Sequence, residues 1–542
     1  MKIILRLTFL FCLLSFLTSQ AAEKRLLTVD DFNRFQSVGD PQCSPDGKWI
    51  AYTVSSSDLK ADERRSSIWM VTLDGAQNVR VTYTPGSDST PRWSPDGKYL
   101  SFLSARKSDD KSKEDPKSQI WVIDKRGGEA RQLTNVKQEI EDYVWSPDSK
   151  QIVLVMKESE DDSNTKDSEK KPKPIVIDRY HFKQDIQGYL TAVSRSHLYL
   201  FDVQSQKLDV LTNDKNFEDE DPVWSPDGKR IAFITNHEKD PDQSFTNDIF
   251  VMDAKAGAKA EKLITVFAPN DQRLRWSPDG KWLAYLVGQG PEYFAYVQDK
   301  LAVIPASGGN SKTLTESLDR MISEPEFSKD GSFITFMVTD DQLQYPAKIS
   351  TTGGKVERLT NEKVVVNEQS VCGNSLAVTY SNDTAPFEIY ALESGKLRKL
   401  TKHNDDVLAE IKLGAVEDLS FHSKDGTEVH GMMVKPPSFE KGKKYPTILW
   451  IHGGPNGQDD HSLPVNLYPL QFERQLFAAN GYVALAVNYR GSSGRGFDFS
   501  KSIFADWGHK EVADLLAGVD EAVRLGVADP AKLGIGGWSY GG

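Results

Sequence analysis

One phrase recurs along most of the chain and constrains its fold more than any other feature. It reads CSPDGKWIAYTV from Cys43, WSPDGKYLSFLS from Trp93, WSPDSKQIVLVM from Trp145 and WSPDGKRIAFIT from Trp224. It returns as WSPDGKWLAYLV from Trp276 and FSKDGSFITFMV from Phe327, with a degenerate seventh copy, VCGNSLAVTYS, from Val371. Four of the steps between copies are 50–52 residues and the third is 79. The phrase is a tight turn: proline fixes φ, aspartate tolerates the next position and glycine supplies the positive φ that follows. A strand ending in a large aromatic precedes it. The strand after it is apolar on both faces, which implies burial on both sides. Further strand pairs such as LYLFDVQSQKLDVLT from Leu198 follow each copy. Four strands per repeat, seven times, predict a seven-bladed β-propeller, in which stacked neighbours bury what one blade cannot.

The long third step carries an insertion. Residues 157–173 are almost wholly charged or polar and read as a solvated loop, as do residues 106–117. The aromatic-rich stretch 176–190 reads as extra strand packing in preference to the rim of an opening.

The chain has 542 residues, too many for one core, and a net charge of −12 that speaks against a nucleic-acid partner. Residues 1–21 have a positive start, an apolar run from Leu7 to Leu17 and small residues before Ala22, the pattern of a cleaved signal peptide. The expectation is therefore a periplasmic or secreted protein with no stable membrane anchor after cleavage. Cleavage leaves Cys43 and Cys372, which occupy similar positions in different repeats and are expected to stay as buried free thiols. No cluster has metal-ligand spacing, and no cofactor is implied.

After residue 412 the pattern changes to strands alternating with helices, so the expected partition is signal peptide 1–21, propeller 22–412 and an α/β domain 413–542. A hairpin is expected to turn at Asp425-Gly426. The apolar strand from Tyr445 to Ile451 runs into His452-Gly453-Gly454-Pro455, a helix is expected near Leu467–Asn480, and HKEVADLLAGVDEAVRLG is an amphipathic helix. Then KLGIGG runs directly into Gly537-Trp538-Ser539-Tyr540-Gly541. A strand leading into G-x-S-x-G is the context of a nucleophile on a strained turn, with glycines two before and two after keeping side chains out of the crossing. Ser539 is the candidate nucleophile. The backbone N–H groups of Tyr540 and Gly454 are the candidate oxyanion donors of an acyl-transfer site.

All nine histidines precede Ser539, whereas the α/β-hydrolase order is Ser, then Asp or Glu, then His. His452 alone is expected near the serine, as part of the oxyanion turn and not as its base.

A propeller feeding a partial α/β-hydrolase domain with HGGP, NYRGSSGRG, DWG and GWSYGG resembles the prolyl oligopeptidase family of serine peptidases, most closely its acylaminoacyl-peptidase and dipeptidyl-peptidase 5 branch. The resemblance implies short peptide substrates, with the propeller gating access, and a homodimer in the full-length protein. It places the nucleophile at Ser539 and one oxyanion donor at Tyr540, and His452 where related branches carry a tyrosine. The resemblance also implies an Asp and a His after the serine, so this chain is expected to be an inactive fragment that leaves a sheet edge and apolar faces uncovered. Two other classes compete: a non-catalytic periplasmic propeller that binds partners, and an esterase on the same hydrolase core.

Overall fold

A computed structural model describes residues 23–84, 86–106, 117–157, 174–177, 179–184, 188–190, 195–268, 273–465 and 470–542. Residues 1–21, expected to be a signal peptide, and nearly all of the two charged loops fall outside these residues.

Among the described residues from Ser37 to Lys399, apart from one separate two-stranded sheet, the strands form five antiparallel four-stranded sheets and one of eight strands, in which two four-stranded meanders are joined by a single parallel bridge, Gln344 to Val365. Each recurring phrase makes the same local structure. In the first copy Ser44 Oγ donates to Asp46 at 2.7 Å and accepts from the Trp49 N–H at 2.9 Å, while Gly47 takes φ +69°. The same Ser-to-Asp bond recurs at Ser94, Ser146, Ser225, Ser277 and Ser328. The aromatic before the turn stitches neighbouring sheets. Trp93 Nε1 donates to the Gln42 carbonyl at 3.0 Å, Trp224 to Val144 at 3.1 Å and Trp276 to Val223 at 3.2 Å. The following strand is buried on both faces, as in Arg230–Thr235, because a sheet packs on each side of it.

The last meander packs on the first. Val38, Ile50, Tyr52 and Val71 share one cluster with Cys372, Ala377, Ile389 and Leu400. Here the expectation of free thiols fails: Cys43 and Cys372 are disulfide-bonded, with Cα atoms 5.5 Å apart. Equivalent strand ends are far apart in most pairs of repeats, but the first and last repeats of a closed ring are neighbours. The stretch 176–190 also departs from expectation. It adds no strand to a blade; Lys183–Gln184 and Gly188–Tyr189 form a two-stranded sheet of their own. Tyr180 is 70% exposed, and Arg179, His181, Gln184 and Leu190 line a cavity of about 750 Å³.

The second domain is a five-stranded sheet. Its strands are β1 (Val416–His422), β2 (Glu428–Val434), β3 (Tyr445–Ile451), β4 (Val483–Asn488) and β5 (Ala528–Gly537), in the order β1-β2-β4-β3-β5. The first hairpin turns at Asp425-Gly426 as expected, and β4, β3 and β5 run parallel. Helices α1 (Leu470–Ala479) and α2 (Lys510–Arg524) cover the sheet. Strand β5 is an edge and leaves Leu533, Ile535 and Trp538 exposed by 46%, 74% and 52%. Leu27 and Phe35, which precede the first sheet in the chain, pack with Leu463, Val465 and Phe472 of this domain.

Hairpin tips of the last two propeller meanders hold the two domains together. Gln342 Nε2 donates to the Gly431 carbonyl at 2.8 Å, and the Asp341 N–H to Gly494 at 2.9 Å. His430 meets Asp341 at 2.7 Å, with Glu428 at 3.5 Å and Arg495 nearby; His461 lies between Asp383 at 3.0 Å and Asp418 at 2.9 Å, near Lys363. The bond to Asp341 raises the His430 pKa. Burial of His461 disfavours its charged form, but Asp383 and Asp418 outweigh this and raise its pKa too. A raised folded pKa gives stabilisation that is complete below the ordinary imidazole value of about 6.5 and lost as pH rises through the folded value. Raising the pH from about 6 to about 9 is therefore expected to loosen the interface and lower the unfolding midpoint by a few degrees. The His430→Gln, His461→Gln double variant should show a flatter profile; parallel profiles for the two proteins would refute this.

Candidate active site

Two strand ends meet here. In the parallel pair β3–β5, Ile451 is in register with Gly537, and the Trp538 N–H donates to the Ile451 carbonyl at 3.1 Å. The chains leave the sheet side by side, so the turn His452–Pro455 lies against the turn Ser539–Gly541. Ser539 has φ +54°, a left-handed conformation rare outside glycine, as expected of a nucleophile turn. The flanking glycines are steric requirements. A Cβ at Gly537 would lie 2.2 Å from the Gly541 carbonyl oxygen, and one at Gly541 would lie 2.4 Å from that of Ile451. A Cβ at Gly453 would touch the Ser539 Cβ at 3.0 Å, so only a glycine lets the two turns close on each other.

Gly454, with φ +130°, is next in that turn and faces a cavity of about 830 Å³ between the domains. Tyr540 is fixed by its side chain, whose hydroxyl donates to Glu511 Oε1 at 2.8 Å. Its ring packs edge-on against Trp507 with centroids 5.0 Å apart. The structure thus brings Ser539, Tyr540 and the Gly453-Gly454 turn together.

His452 is buried, and its ring is fully engaged. Nδ1 lies 2.7 Å from the Gly453 carbonyl, which can only accept, so Nδ1 carries the proton and Nε2 accepts from Ser492 Oγ at 3.0 Å. Burial lowers its pKa, and the Tyr489 ring stacks on it at 4.6 Å. A neutral imidazole with both nitrogens occupied is a structural part of the turn. Among the described residues no hydrogen bond joins Ser539 to an imidazole or a carboxylate.

Sequence reasoning missed several supports. Tyr489 and Ser492, from NYRGSSGRG, both grip the His452 turn, the tyrosine through its hydroxyl on the His452 carbonyl at 2.9 Å. Asn456 Nδ2 donates to the propeller's Val297 carbonyl at 2.8 Å, and Trp507 Nε1 to the hydroxyl of Tyr296. The adjacency of HGGPN and NYRGSS in a parallel sheet was the one sequence signal that pointed to the first of these.

The family profile described as the prolyl oligopeptidase family matches residues 468–542, and that of the TolB beta propeller domain matches 20–176 and 189–401. The uncharacterized peptidase YuxL of Bacillus subtilis is 31% identical over 96% of this chain and 79% of its own length. Dipeptidyl-peptidase 5 of Porphyromonas gingivalis is 26% identical over 95% of this chain and 75% of its own. The crystal structure of Pyrococcus horikoshii acylaminoacyl peptidase shares the fold with a TM-score of 0.76 at 23% identity, covering 94% of this chain and 74% of that one. A β-propeller followed by a hydrolase domain with its serine on a strained turn defines the class as serine peptidase. The chain belongs to the prolyl oligopeptidase family.

Proposed function

We propose that this is an exported peptidase of short peptides, acting through an acyl-enzyme on Ser539 with the Gly454 and Tyr540 backbone N–H groups as oxyanion donors. Counting the eight-stranded sheet as two blades gives a seven-bladed ring, which in this reading gates access to the serine and excludes folded proteins. The leader at residues 1–21 supports a periplasmic or secreted location. The observation that carries the reading is Ser539 at φ +54°, with the Gly453 turn closed against it. Covalent acyl transfer through a serine requires no cofactor.

Two outcomes are expected. In enzyme isolated from its source, Ser539→Ala should reduce kcat on dipeptidyl nitroanilides by on the order of 10⁴-fold or more; unchanged turnover would sink the proposal. Among the described residues no imidazole or carboxylate is bonded to Ser539, and His452 is committed elsewhere. By itself the 542-residue polypeptide should release no more nitroaniline than its own Ser539→Ala variant, and turnover that depends on Ser539 would refute this.

A further inference from the structure

The cavity between the domains has an unusual wall. Phe245 and Phe294 stack with ring centroids 4.5 Å apart and planes 6° from parallel, yet remain 43% and 49% exposed. Leu286, Met321 and Ile322 extend the apolar surface, and Gly454 and Asn456 of the hydrolase domain form the facing side. The rings arrive from separate loops. Phe245 directly precedes the strand Thr246–Asp253, while Phe294 sits in the 3-10 segment Pro291–Tyr296. That segment is itself docked on the hydrolase domain, through Tyr293 packed edge-on against Phe497 and Phe504 at 5.4 and 5.1 Å. The wall is thus held at a set position relative to the Gly454 turn.

Two phenyl rings left half bare inside a cavity are a surface that an apolar ligand group covers with gain, and a parallel stacked pair offers a third ring its edges and an outer face. An ion pair, Arg273 to Glu324 at 3.3 Å, lies on the propeller side of the same cavity. It marks where the apolar wall stops.

We propose that Phe245 and Phe294 determine specificity, receiving a large apolar side chain, above all an aromatic one, of the peptide residue that lies between the scissile carbonyl and the propeller. This rests on the peptidase reading above. It makes apolar peptides the preferred substrate class.

Binding tests it without requiring turnover. Tetra-alanine, and the same peptide with phenylalanine at each position in turn, are titrated into the 542-residue protein by calorimetry. One position of phenylalanine should tighten binding by roughly tenfold or more over tetra-alanine. Phe245→Ala and Phe294→Ala should each remove most of that advantage. Phe245→Leu and Phe294→Leu, which keep apolar area, should retain part of it. An unfolding midpoint matching that of the unmodified protein reports that each variant is folded. Equal binding of all peptides, or an advantage that survives both alanine variants, overturns the inference alone. No binding of any peptide overturns it together with the peptidase reading.

Discussion

Replacing Cys43 and Cys372 with serine is expected to lower the unfolding midpoint of the propeller by roughly 5 °C. The bond closes a loop of 329 residues. In the chain-entropy account a longer loop confines the unfolded chain more, which places this disulfide near the upper end of the usual range, about 4–5 kcal/mol. Spread over the unfolding entropy of a domain this large, that energy moves the midpoint by only a few degrees. The bond also sits where the ring has least other covalent or local support. Sheets adjacent in sequence are joined by a short connection, whereas first and last are linked by this bond and by non-covalent contacts, among them the Cys43 N–H on Ser370 Oγ at 3.0 Å, the Asp40 N–H on Glu368 at 2.9 Å, Arg398 on the Leu73 carbonyl at 2.8 Å and the shared apolar cluster. Reductant should shift the wild-type midpoint by the same amount and leave the double variant unmoved. An intact mass showing two free thiols in the protein purified without reductant, or a midpoint indifferent to reductant, would remove the argument.

That disulfide also shows what a linear reading sees. The turn phrase was legible because its chemistry is local: Ser44 and Asp46 make their bond within three residues, and the same spacing returns in six copies. The strained turn at Ser539 was legible for the same reason, since Gly537 and Gly541 act through steric limits set by their own spacing. Contacts that depend on closure were not. Cys43 and Cys372 look remote when repeats are laid end to end and are adjacent when the ring shuts. His430 and His461 carry no local pattern, because their partners Asp341 and Asp383 come from hairpin tips of another domain. The stretch 176–190 misled through composition: its aromatics suggested strand packing, but Tyr180, Phe182 and Tyr189 are exposed.

Arg490 is expected to be the most costly single side chain to remove from the hydrolase domain. It follows β4 in the NYRG segment, and its guanidinium lies 7% exposed against an Asp514 carboxylate that is fully buried. Two parallel bonds join them, Nε to Oδ2 at 2.9 Å and Nη2 to Oδ1 at 2.7 Å, and the Arg490 backbone N–H adds a third at 2.9 Å. A further nitrogen reaches Asp425 in the first hairpin turn. One side chain thus ties the β1–β2 turn, the end of β4 and helix α2. Arg490→Ala leaves Asp514 charged, buried and short of its partner, a situation that costs about 3–5 kcal/mol. Arg490→Lys keeps the charge but loses the planar fork, so it should fall between the two. If the cost comes from the stranded charge, adding Asp514→Leu to Arg490→Met should recover part of it, giving a coupling of about 1–3 kcal/mol in the double-mutant cycle. Denaturant midpoints of the hydrolase-domain transition measure all four proteins. A loss under about 1 kcal/mol for Arg490→Ala would mean that water reaches Asp514 and that the pair is not the anchor described. The consequence for the site follows along α2. That helix carries Glu511, which holds the Tyr540 hydroxyl, so loosening its first turn frees the residue proposed as an oxyanion donor.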